Sequence, residues 1–249
     1  MKHLLLAIVA IATFTGTLFS SDIIEDKTKL EALKKLNKVL EDPVLTIKAA
    51  IEKPQNYLLK IEAKGSRGSQ LLTAFLDKSS SELYIGSAYD KEGKEILFPK
   101  DAETIKEGVA FSYGKGSKEI YVVTDPECPY CGRFEKAAEG KLDDYTVHII
   151  LFPLSFHKKA PVMVEWIMQG KDDAERKARF EKLMLKGSTA YKDLHKDAKK
   201  PFKYSAQTQK EMERSDKAVM ELNVRGTPAI YDENFNPVSQ AELLNLGKK

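Results

Sequence analysis

The only two cysteines of the 249-residue chain stand with two residues between them, in Cys128-Pro129-Tyr130-Cys131. Two cysteines cannot build a multi-disulfide scaffold, nor a zinc site made of cysteine alone. The run Ile120-Tyr121-Val122-Val123-Thr124 before them reads as a strand buried on both faces. After Asp125-Pro126-Glu127, a helix is predicted to start at Cys128 or Pro129. A thiol at a helix start meets unpaired N–H groups and the positive end of the helix dipole, and both favour the thiolate. Thiolate is the attacking species in thiol–disulfide exchange. Position therefore predicts Cys128, at an exposed helix start, as the nucleophile. Cys131, one turn inside, is the thiol that closes on it and releases a mixed disulfide. Pro129 at the first helical position forfeits no hydrogen bond, because that N–H has no intrahelical acceptor. Two blander uses compete. A structural disulfide across this spacing closes a tiny loop and constrains the unfolded chain little. Half a zinc site would need two further ligands from His148, His157 or His195, which form no closely spaced histidine pair. Redox chemistry is the favoured reading, and it calls for no metal and no cofactor.

The elements around this tetrapeptide read as an α/β unit. A second buried strand is expected at Tyr145–Phe152, so strand, helix and strand form a βαβ unit with a parallel pair. Helical patterns follow at 161–168, 172–185, 189–195 and 206–222, a helical insertion over about residues 159–222. The chain returns to strand at Ala229-Ile230-Tyr231, turns at Asp232-Glu233-Asn234, and ends in a helix capped by Ser239. Just before that last strand stands Arg225-Gly226-Thr227-Pro228. Its proline is either cis, marking a tight and specific loop, or an ordinary trans proline opening a strand. Glu127 is expected to face water, His157 to sit on a solvated loop, and Trp166 to belong to the core.

Upstream the pattern differs. Lys2, the apolar run Leu4–Ala12 and the small and polar residues to Ser21 have the form of a secretory signal, residues 1–21; an uncleaved anchor is the rival. Export would place the chain where thiols tend to be oxidised. Residues 22–98 read as a small α+β domain: a helix over 26–40, then strands near 57–63, 71–76 and 82–89, the last two as a hairpin. Such a unit is small for a self-sufficient core and would gain from pairing with a second copy. Residues 99–117 read as a linker carrying a short helix at 102–109, and 118–249 as the α/β domain. With 40 Lys and Arg against 37 Asp and Glu, the net charge of +3 is too balanced to argue for a nucleic-acid partner.

Asp125-Pro126-Glu127-Cys128-Pro129-Tyr130-Cys131, together with Thr227-Pro228 before a late strand, resembles the thioredoxin fold of periplasmic thiol–disulfide oxidoreductases. The resemblance is closest to the DsbC/DsbG type of disulfide isomerase. It implies that 22–98 is a dimerisation domain followed by a linker. It also implies that Pro228 is cis beside the cysteines, with Pro129, Tyr130, Thr227 and Pro228 supporting the site and docking substrate. Thr227 fits the isomerase branch, where DsbA oxidases usually carry Val. The implied partners are exported proteins with thiols or disulfides and a membrane redox protein, DsbD-like for an isomerase or DsbB-like for an oxidase. A dimeric oxidase and a holdase chaperone are the alternatives.

Overall fold

The computed structural model describes residues 23–65, 68–196 and 200–244. The signal segment expected at 1–21 lies outside them. The chain divides into two compact units, one holding residues up to 62 with 72–96, the other 63–71 with 97 onwards.

A five-stranded sheet, most of it in the first unit, has the order β1-β2-β3-β4-β5: Ile23–Ile24, Leu45–Glu52, Asn56–Gly65, Gly68–Asp77 and Leu83–Ile85. The hairpin expected from 71–76 and 82–89 is the antiparallel pair β4–β5, with Phe75 opposite Tyr84. The helix expected over 26–40 is shorter. Asp26 caps α1 (Lys27–Lys34), and the chain breaks before a 3₁₀ turn, Lys38–Glu41, capped by Asn37. Asparagine competes for backbone groups and favours such caps over helix interiors. Leu30, Leu33 and Leu40 from these turns are buried with Ile47, Leu59, Ile61, Ala74 and Leu76 from the sheet.

The second unit holds a four-stranded sheet in the order β6-β8-β7-β9: Phe111–Gly114, Lys118–Thr124, Tyr145–Leu151 and Ala229–Asp232 for β6 to β9 in chain order. β7 runs parallel to β8 and antiparallel to β9. Between β7 and β8 lies α3 (Pro129–Ala138), which completes the βαβ unit. Between β8 and β9 lie α4 (Ala160–Met168), α5 (Asp173–Met184), a 3₁₀ turn (Ala190–Leu194) and α6 (Ala206–Glu221); α7 is Gln240–Leu243.

The stretch read as a linker is part of this unit. Residues 102–107 form α2, capped by Asp101, and residues 111–114 form β6, antiparallel to β8 with Phe111 opposite Ile149. Its apolar residues explain the difference: Ile105 and Phe111 are fully buried, which a connector would not require. Gly108, ending α2, permits close packing, because a Cβ there would collide with Ala218 on α6.

Both faces of the sheet are covered, so its strands are apolar on both sides. Ile120 and Val122 pack with Phe134, Val147, Ile149, Ile167 and Phe180 on one face. Tyr121 and Val123 alternate onto the other, with Ile105, Ile150, Val219 and Leu222. Trp166 is partly buried against the first of these cores, with the Arg179 guanidinium 5.3 Å over its ring. No described helix is long and apolar enough to cross a membrane.

Candidate active site

The site lies where β7 and β8 end. Their parallel register sets Thr124 opposite Leu151, so the segments leaving the two strands emerge side by side. From β7 comes Asp125-Pro126-Glu127, turned by a Cys128 N–H to Asp125 O hydrogen bond of 3.0 Å. Cys128 is the N-cap of α3 and Pro129 its first residue. Cys131, Phe134, Glu135 and Ala138, at helical spacing, form the buried face of α3.

Both cysteines are free thiols. The helix start is not the open position expected for Cys128, which is only 6% exposed; Cys131 is fully buried. The loop before β9 covers Cys128. Its thiol donates to the Thr227 carbonyl, with sulfur and oxygen 3.6 Å apart, and the Thr227–Pro228 bond is cis. The same-chain partners that approach Cys128 thus come from α3 and from a loop nearly a hundred residues downstream. Tyr130 is exposed, with the Arg133 guanidinium stacked 4.4 Å from its ring centroid.

The two sulfurs differ electrostatically. Burial opposes ionisation of Cys128, but hydrogen bonds from the Thr227 side chain, from the Cys131 backbone and thiol, and from the Tyr130 backbone outweigh it. Its thiol is therefore held below the usual cysteine range. Burial pushes Cys131 up to about 12, against the Asp125 N–H and the hydroxyls of Thr124 and Thr227. The Asp125 N–H to Cys131 Sγ distance is 3.5 Å. Thr124 Oγ1 and Thr227 Oγ1 are buried, and neither has a partner in full hydrogen-bond geometry. The polar work they do is on sulfur: Thr124 favours the charged form of Cys131, and Thr227 that of both cysteines. One thiol ready to ionise and one held protonated behind it is the arrangement a nucleophile and a resolving thiol require.

Three residues play parts that the sequence did not assign. Asp125 is fully buried and accepts from Glu127 N (2.8 Å), Leu154 N (2.7 Å) and His157 Nδ1 (2.7 Å). His157 is thus not a solvated loop residue; its side chain is 17% exposed, and Phe156 packs edge-on against its ring. Glu127 does not simply face water. Its carboxylate accepts from Lys159 N (2.6 Å) and Ala160 N (2.9 Å), closing the start of α4, whose own N-cap supplies no side-chain bond. His148 stacks on Tyr121, and His195 packs edge-on against Phe202. Among the described residues no cluster of His, Cys, Asp and Glu is arranged to hold a metal ion.

Residues 110–234 match the family described as thioredoxin-like domain, which is half of the chain. No curated protein matches in sequence. Several solved structures are similar. The catalytic domain of Proteus mirabilis ScsC is 19% identical, with 58% of this chain and 92% of that one covered and a TM-score of 0.42. A periplasmic thioredoxin-like protein from Salmonella enterica serovar Typhimurium is 19% identical, covering 59% and 94%, with a TM-score of 0.46. A disulfide interchange protein from Neisseria gonorrhoeae is 20% identical, covering 54% and 86%, with a TM-score of 0.39.

Proposed function

Because the chain belongs to the family of thioredoxin-like domains, we propose that it is a thiol–disulfide oxidoreductase acting on protein substrates, with Cys128 as nucleophile and Cys131 as resolving thiol. One observation carries this reading: Cys128 is pushed toward the thiolate at a helix start, while the thiol of Cys131, directly behind it, is pushed by burial up to about 12. Cys128 thiolate attacks a substrate disulfide and forms a mixed disulfide. Cys131 then displaces the substrate thiol and closes the intramolecular disulfide, or the substrate rearranges and leaves with its own new bond. Pro129, Tyr130, Thr227 and Pro228 frame the sulfur that the substrate approaches.

The finer assignment is a periplasmic, homodimeric disulfide isomerase or reductase of the DsbC/DsbG type. The signal-like segment 1–21 supports export, the small sheet domain supports pairing through residues 22–98, and Thr227 before Pro228 supports the isomerase direction. A DsbD-like membrane donor would keep such a site reduced.

The test uses single-cysteine variants in an exported, tagged chain. Cys131→Ser should accumulate mixed disulfides with exported proteins, and Cys128→Ser should accumulate none. Trapping by Cys128→Ser instead would reverse the roles. The redox state of the pair in the periplasm tests direction: mostly thiol fits an isomerase or reductase, whereas mostly disulfide refutes that direction in favour of an oxidase.

A further inference from the structure

Resolution depends on a sulfur that is fully buried and pushed up to about 12, so its ionisation must be assisted locally. The backbone N–H of Asp125 is one of the few donors at hand, 3.5 Å from Cys131 Sγ. Its peptide is held on the carbonyl side by Phe152 N donating to Thr124 O (2.8 Å), and on the other side by the bonds of the Asp125 side chain. One carboxylate oxygen takes Glu127 N; the other takes Leu154 N and His157 Nδ1. Two of these donors are backbone groups. His157 is the only side chain among them, and it is the one reaching Asp125 from the direction of solvent, 17% exposed against 0%. A carboxylate can only accept, so Nδ1 carries the hydrogen of this bond. A buried carboxylate that loses a donor is left undersatisfied and shifts to find another.

We propose that His157 is a positioning residue for resolution: by donating to Asp125 it holds the Asp125 N–H on Cys131 and so sets the rate at which Cys131 closes on Cys128. This rests on the thiol-exchange reading above. It assigns His157 no proton transfer. In the step concerned, Cys131 releases its proton to solvent and its sulfur attacks that of Cys128. The bond between Cys128 and its partner sulfur breaks, and the partner leaves as a thiolate with the electron pair.

The reduced, full-length protein mixed with 5,5′-dithiobis(2-nitrobenzoate) separates the two steps. The first thionitrobenzoate is released by Cys128, the second by Cys131 as it displaces the adduct; the dithiol is oxidised and the reagent reduced. His157→Leu should leave the first phase unchanged and slow the second about tenfold or more, the size of one lost hydrogen bond to a charged group. His157→Asn places an amide N–H where Nδ1 stood and should restore most of the second phase. An unslowed second phase in His157→Leu, or an Asn variant as slow as the Leu variant, overturns the proposal; the latter would mean that a titrating ring, not a donor, is needed. In the wild type, the Nδ1 proton of His157 should be protected in nuclear magnetic resonance spectra and move when the pair is oxidised. An exchanging, redox-insensitive proton also overturns the proposal, even if the Leu variant does not fold. Failure of the exchange reading itself looks different, because the wild type would then show no second phase.

Discussion

Replacing Thr227 by Val keeps the side-chain shape and removes a single hydroxyl beside both sulfurs. In the dithiol form that hydroxyl is buried without a well-formed partner, which costs free energy; in the thiolate form it has an anion to donate to. Both effects act in the same direction, so removing it favours the neutral thiol twice over. A hydrogen bond to a charged group contributes about 1.5–3 kcal/mol, and one pKa unit corresponds to about 1.4 kcal/mol, so the Cys128 pKa should rise by about one to two units. Destabilising the thiolate destabilises the reduced protein, and the pair becomes more reducing, by about 30 mV for each 1.4 kcal/mol at a pH where the thiolate dominates. Burial pushes Cys131 up to about 12, so iodoacetamide alkylation across the neutral range reports Cys128. The midpoint of its rate against pH should move up in Thr227→Val and stay in place in Thr227→Ser. An unchanged or lower midpoint in the Val variant would refute the role given to the hydroxyl.

Glu127→Ala removes the carboxylate oxygen that accepts from both N–H groups at the start of α4 and should destabilise the protein by about 0.5–2 kcal/mol in urea unfolding, as loss of an N-cap does. Glu135 is pushed from 4.5 up to about 8, first by burial and then by Glu181. Between those values the folded chain keeps a proton that the unfolded chain has released, so wild-type stability falls as pH rises through that window. Glu135→Gln should remove this slope, gaining on the order of 3 kcal/mol relative to the wild type between pH 5 and 8, read from denaturation midpoints. An equal slope in the variant would count against a buried, protonated Glu135. The exported chain should sediment as a dimer, and a chain starting at Leu97 as a monomer; equal association of both would remove pairing from the N-terminal unit.

What was legible in the sequence is what short-range pattern encodes. The run 120–124, the helix start at Cys128 and the strand at 145–152 each announce themselves locally, and β7, α3 and β8 lie there. The thiol pair therefore came out with its surroundings. Partners of Asp125 and Glu127 did not, because they stand about thirty residues away and meet only through the register that sets Thr124 opposite Leu151. A reader of the sequence sees an acid beside a cysteine and a histidine on a loop, without the ladder that joins them. Burial of Cys128 was missed for a similar reason, since the cover comes from Thr227 at the far end of the chain. β2 was missed although Leu45, Ile47 and Ala49 alternate.

Glu127 also changes how charge is balanced at the end of the sheet. A carboxylate next in sequence to a nucleophilic sulfur would raise the work of ionising it, by simple repulsion. Here that carboxylate is turned onto the first N–H groups of α4, while Cys128 stands at the N-cap position of α3. Each anion therefore has its own positive helix end, and the two negative charges are neutralised separately instead of competing for one dipole. The partners of the carboxylate belong to a neighbouring helix, not to the one that the cysteine opens.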